Sequence, residues 1–279
     1  MRQFRSAFSV FALLGLLFPL TAAASSASFK KVFIVVLENT NSTTAHSQPF
    51  LRQLARDGAD LTGFVAESHP SQGNYIALTS GSLNGVRSDW NVDLDVQNIA
   101  DLLEAKGKSW KAYAEQYPGN CFQGSSDGDY VRKHMPFISY VNIQQRPERC
   151  AKLVNATQLD SDLAAGQLPD YSFYVPDIKN DGHDTGAAYA DNFMRQRFGA
   201  LLHDSRFMKD MLFIVTFDES AGGPNGIYTT FYGDSVQPGS AFSAPSSHYS
   251  ILRMIEDAWQ LGSLNQLDAQ ASVITGIWK

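Results

Sequence analysis

Lys31-Val32-Phe33-Ile34-Val35-Val36-Leu37-Glu38-Asn39 decides the fold. From Val32 to Leu37 no polar residue interrupts the run, and most of it is β-branched. A half-exposed strand alternates, whereas a strand covered on both faces reads as continuous apolar sequence. The run stops at Glu38-Asn39, which puts a carboxylate and an amide at the C-terminal end of a central strand. Open α/β sheets keep their binding crevice there.

Working outward, two more apolar runs behave alike. Tyr171–Val175 ends at Pro176-Asp177, and Met211–Phe217 ends at Asp218-Glu219. Short strands are also expected at 61–65 and 109–114. Helical spacing of apolar residues appears at 49–57, 98–106, 160–165, 187–203 and 251–259. Strands alternating with helices give the α/β class, with a mostly parallel sheet whose strand ends converge. Residues 117–157 lack a period and read as an irregular cap or insertion.

The strand expected at 61–65 delivers the chain to Ser68-His69-Pro70-Ser71-Gln72-Gly73-Asn74-Tyr75. Pro70 fixes the backbone before Ser71 and Gly73 frees it afterwards, and the apolar residues that follow read as a helix. Ser71 Oγ is then exposed at a helix N-terminus, where free N–H groups favour an anion, and Asn74 adds a side-chain donor. A plain capping role for Ser71 and a loop role for His69 stay open.

Carboxylates gathered from several strand ends repel one another unless a cation compensates. Glu38, Asn39, Asp218 and Glu219 supply oxygens suited to a divalent ion. Such an ion beside Ser71 makes a serine without an adjacent base a competent nucleophile. His183, in the Asp- and Gly-rich loop 178–186, or His248 is expected to protonate the leaving alkoxide. His248 can equally be an ordinary residue of a helix N-terminus. His69, His134 and Asp184 are secondary candidates. Ser71 lacks a G-x-S-x-G elbow, and neither a Walker loop nor a G-x-G-x-x-G turn follows the first strand.

The chain has 279 residues, 44% of them hydrophobic, and a formal net charge of −6. One globular domain is expected, at 25–279. No Lys/Arg-rich stripe is available to neutralise a nucleic-acid backbone. At the N-terminus Arg2 and Arg5 precede an apolar run at 8–20 and then Thr21-Ala22-Ala23-Ala24. That pattern predicts a signal peptide cleaved after Ala24, the run being shorter than the ~20 residues of a membrane span. A periplasmic or secreted protein without a stable membrane anchor is expected. Cys121 and Cys150 form an even pair in an exported chain, which favours a disulfide, and without C-x-x-C spacing they make a poor zinc site.

Taken in order, Val35-Val36-Leu37-Glu38-Asn39, the Ser68 to Tyr75 stretch with Thr79-Ser80-Gly81, Thr216-Phe217-Asp218-Glu219, and His248-Tyr249-Ser250 with Glu256-Asp257 resemble a known family. It is the phosphoesterase family of acid phosphatases and phosphatidylcholine-type phospholipases C, within the alkaline-phosphatase-like superfamily. The resemblance implies a sandwich with a central, mostly parallel sheet flanked by helices. It implies that Ser71 is the phosphorylated nucleophile and that Asn74 holds a phosphoryl oxygen. Glu38, Asn39, Asp218 and Glu219 would form the shell of one divalent metal. Asp177, His183 and His248 fall where the superfamily keeps a second metal, and the long spacing from Asp177 to His183 counts against a second ion. The segment at 133–137 and Arg149-Cys150 also look like family features, which supports the disulfide and raises His134.

The expected function is therefore an exported, metal-dependent phosphatase acting on small phosphate monoesters. A phospholipase C-type phosphodiesterase is the alternative, and a non-catalytic anion- or metal-binding protein is a second one.

Overall fold

The computed structural model describes residues 27–279, so the expected leader at 1–24 lies outside the described residues. Ten strands occur among the described residues. They are β1 (Lys31–Leu37), β2 (Ala59–Asp60), β3 (Trp110–Ala114), β4 (Ser126–Asp127), β5 (Tyr130–Val131), β6 (Leu153–Asn155), β7 (Tyr171–Val175), β8 (Met211–Phe217), β9 (Thr229–Gly233) and β10 (Ser240–Ala241). The helices begin with α1 (Ser42–Ser47), α2 (Pro49–Asp57), α3 (Gln72–Ser80), α4 (Ile99–Ala105) and α5 (Val141–Gln144). They continue with α6 (Pro147–Cys150), α7 (Gln158–Ala164), α8 (Ala187–Phe198), α9 (Ser205–Met208) and α10 (His248–Trp259).

The main sheet runs β10-β2-β9-β8-β1-β7-β3-β6. β1 lies parallel to both β7 and β8, and β3 is parallel to β7 and β6. β9 turns antiparallel on β8. β1 is buried from Val32 to Leu37 and β8 throughout, which is why neither shows polar alternation. An aromatic row crosses one face. Phe33 stacks on Phe213 with centroids 5.7 Å apart, lies 6.0 Å from Tyr174, and meets Phe198 of α8 edge-on at 5.7 Å. The Phe137 ring packs edge-on against Tyr171 and Phe173 and stacks on Trp110, so the 117–157 segment is fastened to the sheet by an aromatic anchor. That segment also supplies β6 to the sheet edge and carries the Cys121–Cys150 disulfide, with Cα atoms 5.4 Å apart.

Two local expectations differ from the structure. Residues 61–65 do not form a strand: Phe64 and Val65 make only isolated bridges, to Ser246 and Gly226. The chain turns at Thr62 and Gly63 instead, and a Cβ on Gly63 would sit 2.5 Å from the Ser243 carbonyl oxygen. The helix expected over 187–203 ends at Phe198 and tightens into a 3-10 turn at Leu201–His203, after Gly199 has weakened the helical preference.

Candidate active site

Glu38, Asp218 and Glu219 follow the C-terminal ends of the adjacent parallel strands β1 and β8, so chain topology brings them to one crevice. Asp181 follows β7 and joins them: its backbone oxygen accepts from the Glu38 N–H at 2.9 Å. Glu38, Asp181 and Asp218 are fully buried.

Helix α3 enters this crevice N-terminus first and is buried along its whole length. Ser71 immediately precedes it with helical backbone angles, and its hydroxyl caps nothing. Ser71 Oγ donates instead to Glu38 Oε2 at 3.0 Å and lies 3.5 Å from Glu219 Oε1. Tyr75, one helical turn later, donates its phenolic hydrogen to the other oxygen, Glu38 Oε1, at 2.7 Å. Asn74 clamps the entry to the helix. Its Oδ1 accepts from the N–H groups of Glu67 and Ser68 at 3.0 and 2.9 Å, and its Nδ2 donates to the Ser68 carbonyl at 2.9 Å. The same Nδ2 lies 3.5 Å from Glu219 Oε2. Gly73 has no unusual backbone angle, and a Cβ there would meet the side chains of Ser68 and Leu83 at 2.7 and 3.1 Å, so a larger residue would displace them.

Burial and mutual repulsion set the charge state. Burial first, then Asp218 and Asp181, pushes Glu38 well above the ordinary carboxylate range. Burial raises Asp218 as well. Asp181 is pushed up to about 8 by burial, and Glu219 to about 8 by burial and then by Asp218 and Asp89. The His134 imidazole is wedged between two of these carboxyls. Its Nε2 is 3.0 Å from Glu38 Oε1 and its Nδ1 is 3.1 Å from Asp181 Oδ2. Burial, then the nearby Lys133 charge, drives His134 down to about 3, so the ring is neutral.

The donor set fits a divalent cation. One ligand atom each from Glu38, His134 and Asp181 lie within 4.8 Å of one another. Both His134 nitrogens, Asp181 Oδ2 and Asp218 Oδ2 are buried without an aligned hydrogen-bond partner. Carboxylate oxygens with one imidazole suit a hard or borderline ion. Asn39 takes the left-handed backbone with φ 51°, and its N–H donates to Asp218 Oδ1 at 3.1 Å.

The other candidates from the sequence fall into two groups. His69 Nδ1 lies 2.8 Å from Glu219 Oε2, at the rim. His183 approaches through the loop after β7: its N–H donates to Asp181 Oδ1, its Nδ1 is 2.7 Å from Asp184 Oδ1, and its Nε2 is 3.4 Å from Lys133 Nζ. Asp177 is engaged elsewhere. Its Oδ1 accepts the N–H groups of Lys179 and Asn180, its Oδ2 accepts from Gln116, and it lines a cavity of about 440 Å³ with Glu115. His248 is a buried tether: Nδ1 meets Glu67 Oε2 at 2.5 Å and Nε2 meets the Phe217 carbonyl at 2.9 Å. Burial opposes charge on His248, and the neighbouring Glu67 overrides it and holds the pKa above its ordinary value.

Sequence reasoning did not select Tyr75, Asp181, Glu67 or Lys133. Tyr75 was within reach, being four residues after Ser71 on a helix and thus on the same face. Asp181 carried no separate signal, since Asp177, Asp181 and Asp184 share one loop without periodicity.

A profile of the phosphoesterase family matches residues 35–262. A probable acid phosphatase of Kluyveromyces lactis is 35% identical over an alignment of 262 residues, with coverage of 89% of this chain and 62% of that protein. The chain thus spans less than two thirds of that relative. A phosphatidylinositol-3-phosphatase of Mycobacterium tuberculosis is 31% identical over 263 residues, covering 92% of this chain and 85% of its own. In fold, the chain resembles the crystal structure of a Vibrio parahaemolyticus protein of the alkaline phosphatase superfamily, with TM-score 0.61, 13% identity, and coverage of 88% of this chain and 71% of that one.

Proposed function

Because the chain belongs to the phosphoesterase family, we propose that it is a phosphatase that removes the phosphoryl group of phosphate monoesters by way of Ser71. The observation that carries this reading is the Ser71 hydroxyl, which leaves its helix uncapped to donate to Glu38 Oε2 at 3.0 Å. With its hydrogen held there, the remaining lone pairs of Oγ are free to face a bound phosphoryl group.

In the first step Ser71 Oγ passes its hydrogen to Glu38 Oε2 as its bond to phosphorus forms and the bond from phosphorus to the alcohol oxygen breaks. The alkoxide takes a proton from Nε2 of His183, whose Nδ1 is oriented by Asp184. His248 is less suited to that task, as it is buried between Glu67 and the Phe217 carbonyl, whereas His183 is partly exposed. Asn74 Nδ2 orients a phosphoryl oxygen. In the second step water gives a proton to His183 Nε2 as it attacks the phosphoserine, and Oγ regains its hydrogen from Glu38 as inorganic phosphate is released.

A divalent cation would be held by Glu38 with Asn39, Asp218 and Glu219, and His134 and Asp181 extend the donor set on the far side of Glu38. When bound, it supplies Lewis acidity toward Ser71 and offsets the carboxylate charge. The names of the relatives favour monoesters over the phospholipase C alternative, since both are called phosphatases. The Cys121–Cys150 disulfide favours an oxidising compartment outside the cytoplasm. No helix among the described residues is long and apolar enough to cross a membrane.

The test is hydrolysis of p-nitrophenyl phosphate by the protein and by Ser71→Ala, each with and without chelator. Turnover that is lost with chelator and lost in a folded Ser71→Ala variant supports the reading. Activity retained by Ser71→Ala removes serine as the nucleophile, and inactivity of the unaltered chain on monoesters, with turnover of phospholipids, favours the diesterase. Phosphate binding without any turnover favours a non-catalytic protein.

A further inference from the structure

Resting on the phosphatase reading, we propose that Lys133 is the cation that takes up the second negative charge of a phosphate monoester, so that it sets the preference for dianionic monoesters over monoanionic diesters. Lys133 sits in the 3-10 turn Arg132–His134, and its two neighbours in that turn are fixed. The buried Arg132 is tied to the Gln123 carbonyl at 2.8 Å and to Asp93 Oδ1 at 2.6 Å, while His134 points into the carboxylate cluster. Lys133 projects between these anchors. Its Nζ donates to Asp89 Oδ2 at 3.0 Å, and Asp89 Oδ1 accepts the N–H of Gln72 at 3.0 Å. The ammonium is therefore two hydrogen bonds away from the amide that follows Ser71.

An ammonium has three N–H donors. Asp89 takes one, and a further donor is left for an incoming oxygen. The side chain keeps 19% of its surface exposed, enough for a small anion to reach it. Its Nζ lies 3.4 Å from His183 Nε2, and the adjacent His134 lies 3.0 Å from Glu38, the carboxyl group that holds Ser71, so Lys133 stands at the same crevice as Ser71. The charge balance asks for such a group. Glu38, Asp181, Asp218, Glu219 and Asp89 bring five formal carboxyl charges when ionised, a divalent ion offsets two and Lys133 one, and a monoester dianion adds two more. A diester adds one, so the contribution of Lys133 is larger for the monoester. Asp89 is the positioning residue that holds the ammonium beside α3.

The experiment uses the full chain and its Lys133→Gln and Lys133→Arg variants. It reads kcat/KM for p-nitrophenyl phosphate, the inhibition constants of inorganic phosphate and of bis(p-nitrophenyl) phosphate, and the melting temperature. Lys133→Gln is expected to lose about 10- to 100-fold in kcat/KM and in phosphate affinity, with diester affinity changed by less than about threefold, and Lys133→Arg recovers most of the loss. Equal weakening toward both anions, or unchanged phosphate affinity, overturns the proposal and leaves the phosphatase reading intact. If the unaltered chain turns over no ester, that reading falls first, and calorimetric titration with inorganic phosphate decides Lys133: binding that Lys133→Gln abolishes upholds it as the anion ligand, and any other result overturns it.

Discussion

Tyr75 donates its buried phenolic hydrogen to Glu38 Oε1 at 2.7 Å. Ser71, one turn earlier on the same helix face, donates to Oε2 of that carboxyl group. Helix α3 thus grips both oxygens of one side chain at the end of β1, and Tyr75 helps to fix the carboxyl group to which Ser71 Oγ donates.

Tyr75→Phe keeps the ring stacked on His134, 5.2 Å away, and removes only the hydroxyl. Glu38 loses a hydrogen bond that opposes its upward shift. We expect a stability loss of about 1–2 kcal/mol and a fall in kcat of roughly tenfold with little change in KM. Thermal melts with steady-state kinetics on a monoester check this, and unchanged kcat would show that Glu38 is held without Tyr75.

Glu38→Gln separates the cost of the carboxylate cluster from its use. Without a cation, Glu38 repels Asp218 and Asp181. The variant should therefore be more stable than the unaltered chain in chelator, by on the order of 1 kcal/mol, yet bind less divalent ion and lose turnover. Urea denaturation in chelator and metal analysis after dialysis give the two readings. Full metal retention would place the ion on other donors.

How much of this was legible follows from the physics of each element. β1 and β8 were readable because strands covered on both faces carry no alternation, and the acids after them stood out against those runs. β9, Thr229–Gly233, was not read, since its pairing depends on the edge of β8 rather than on its own pattern. Ser71 was marked by Pro70 and Gly73, although Gly73 has no unusual backbone angle and packs close to Ser68 and Leu83. The tether role of His248 could not be read locally, because its partner Glu67 lies 181 residues away in sequence. Asp177 and Asp181 lie one turn apart in a single loop, and only the folded chain directs one to Gln116 and Asn180 and the other to His134.

Replacing both Cys121 and Cys150 by Ser releases a link across a sequence separation of 29 residues in the segment that supplies Phe137 and β6. The expected loss is about 2–4 kcal/mol, read from urea unfolding. Dithiothreitol should lower the stability of the unaltered chain by a similar amount and leave the double variant unchanged. Equal sensitivity of the two proteins to reductant would show that the bridge contributes nothing to the fold.

Glu256 of α10 supplies a pH dependence away from the crevice. It is 2% exposed, its Oε1 has no hydrogen-bond partner, and it faces Asp268. Asp268 accepts from the N–H groups of Leu264 and Gln266 at 3.0 and 2.8 Å. Burial, and then the Asp268 charge, push Glu256 from an ordinary 4.5 up to about 9. Below the ordinary value the side chain is protonated in both folded and unfolded chains, and its contribution is fully present. As pH rises from there to about 9 the unfolded chain ionises while the folded one holds its proton, so stability is progressively lost and levels off above that window. Glu256→Gln mimics the protonated form and lacks this loss. Its stability relative to the unaltered chain should therefore rise steadily between about pH 5 and about pH 9, as measured by denaturant midpoints across that range. A difference that stays flat with pH would mean that Glu256 ionises in the fold as readily as in the unfolded chain.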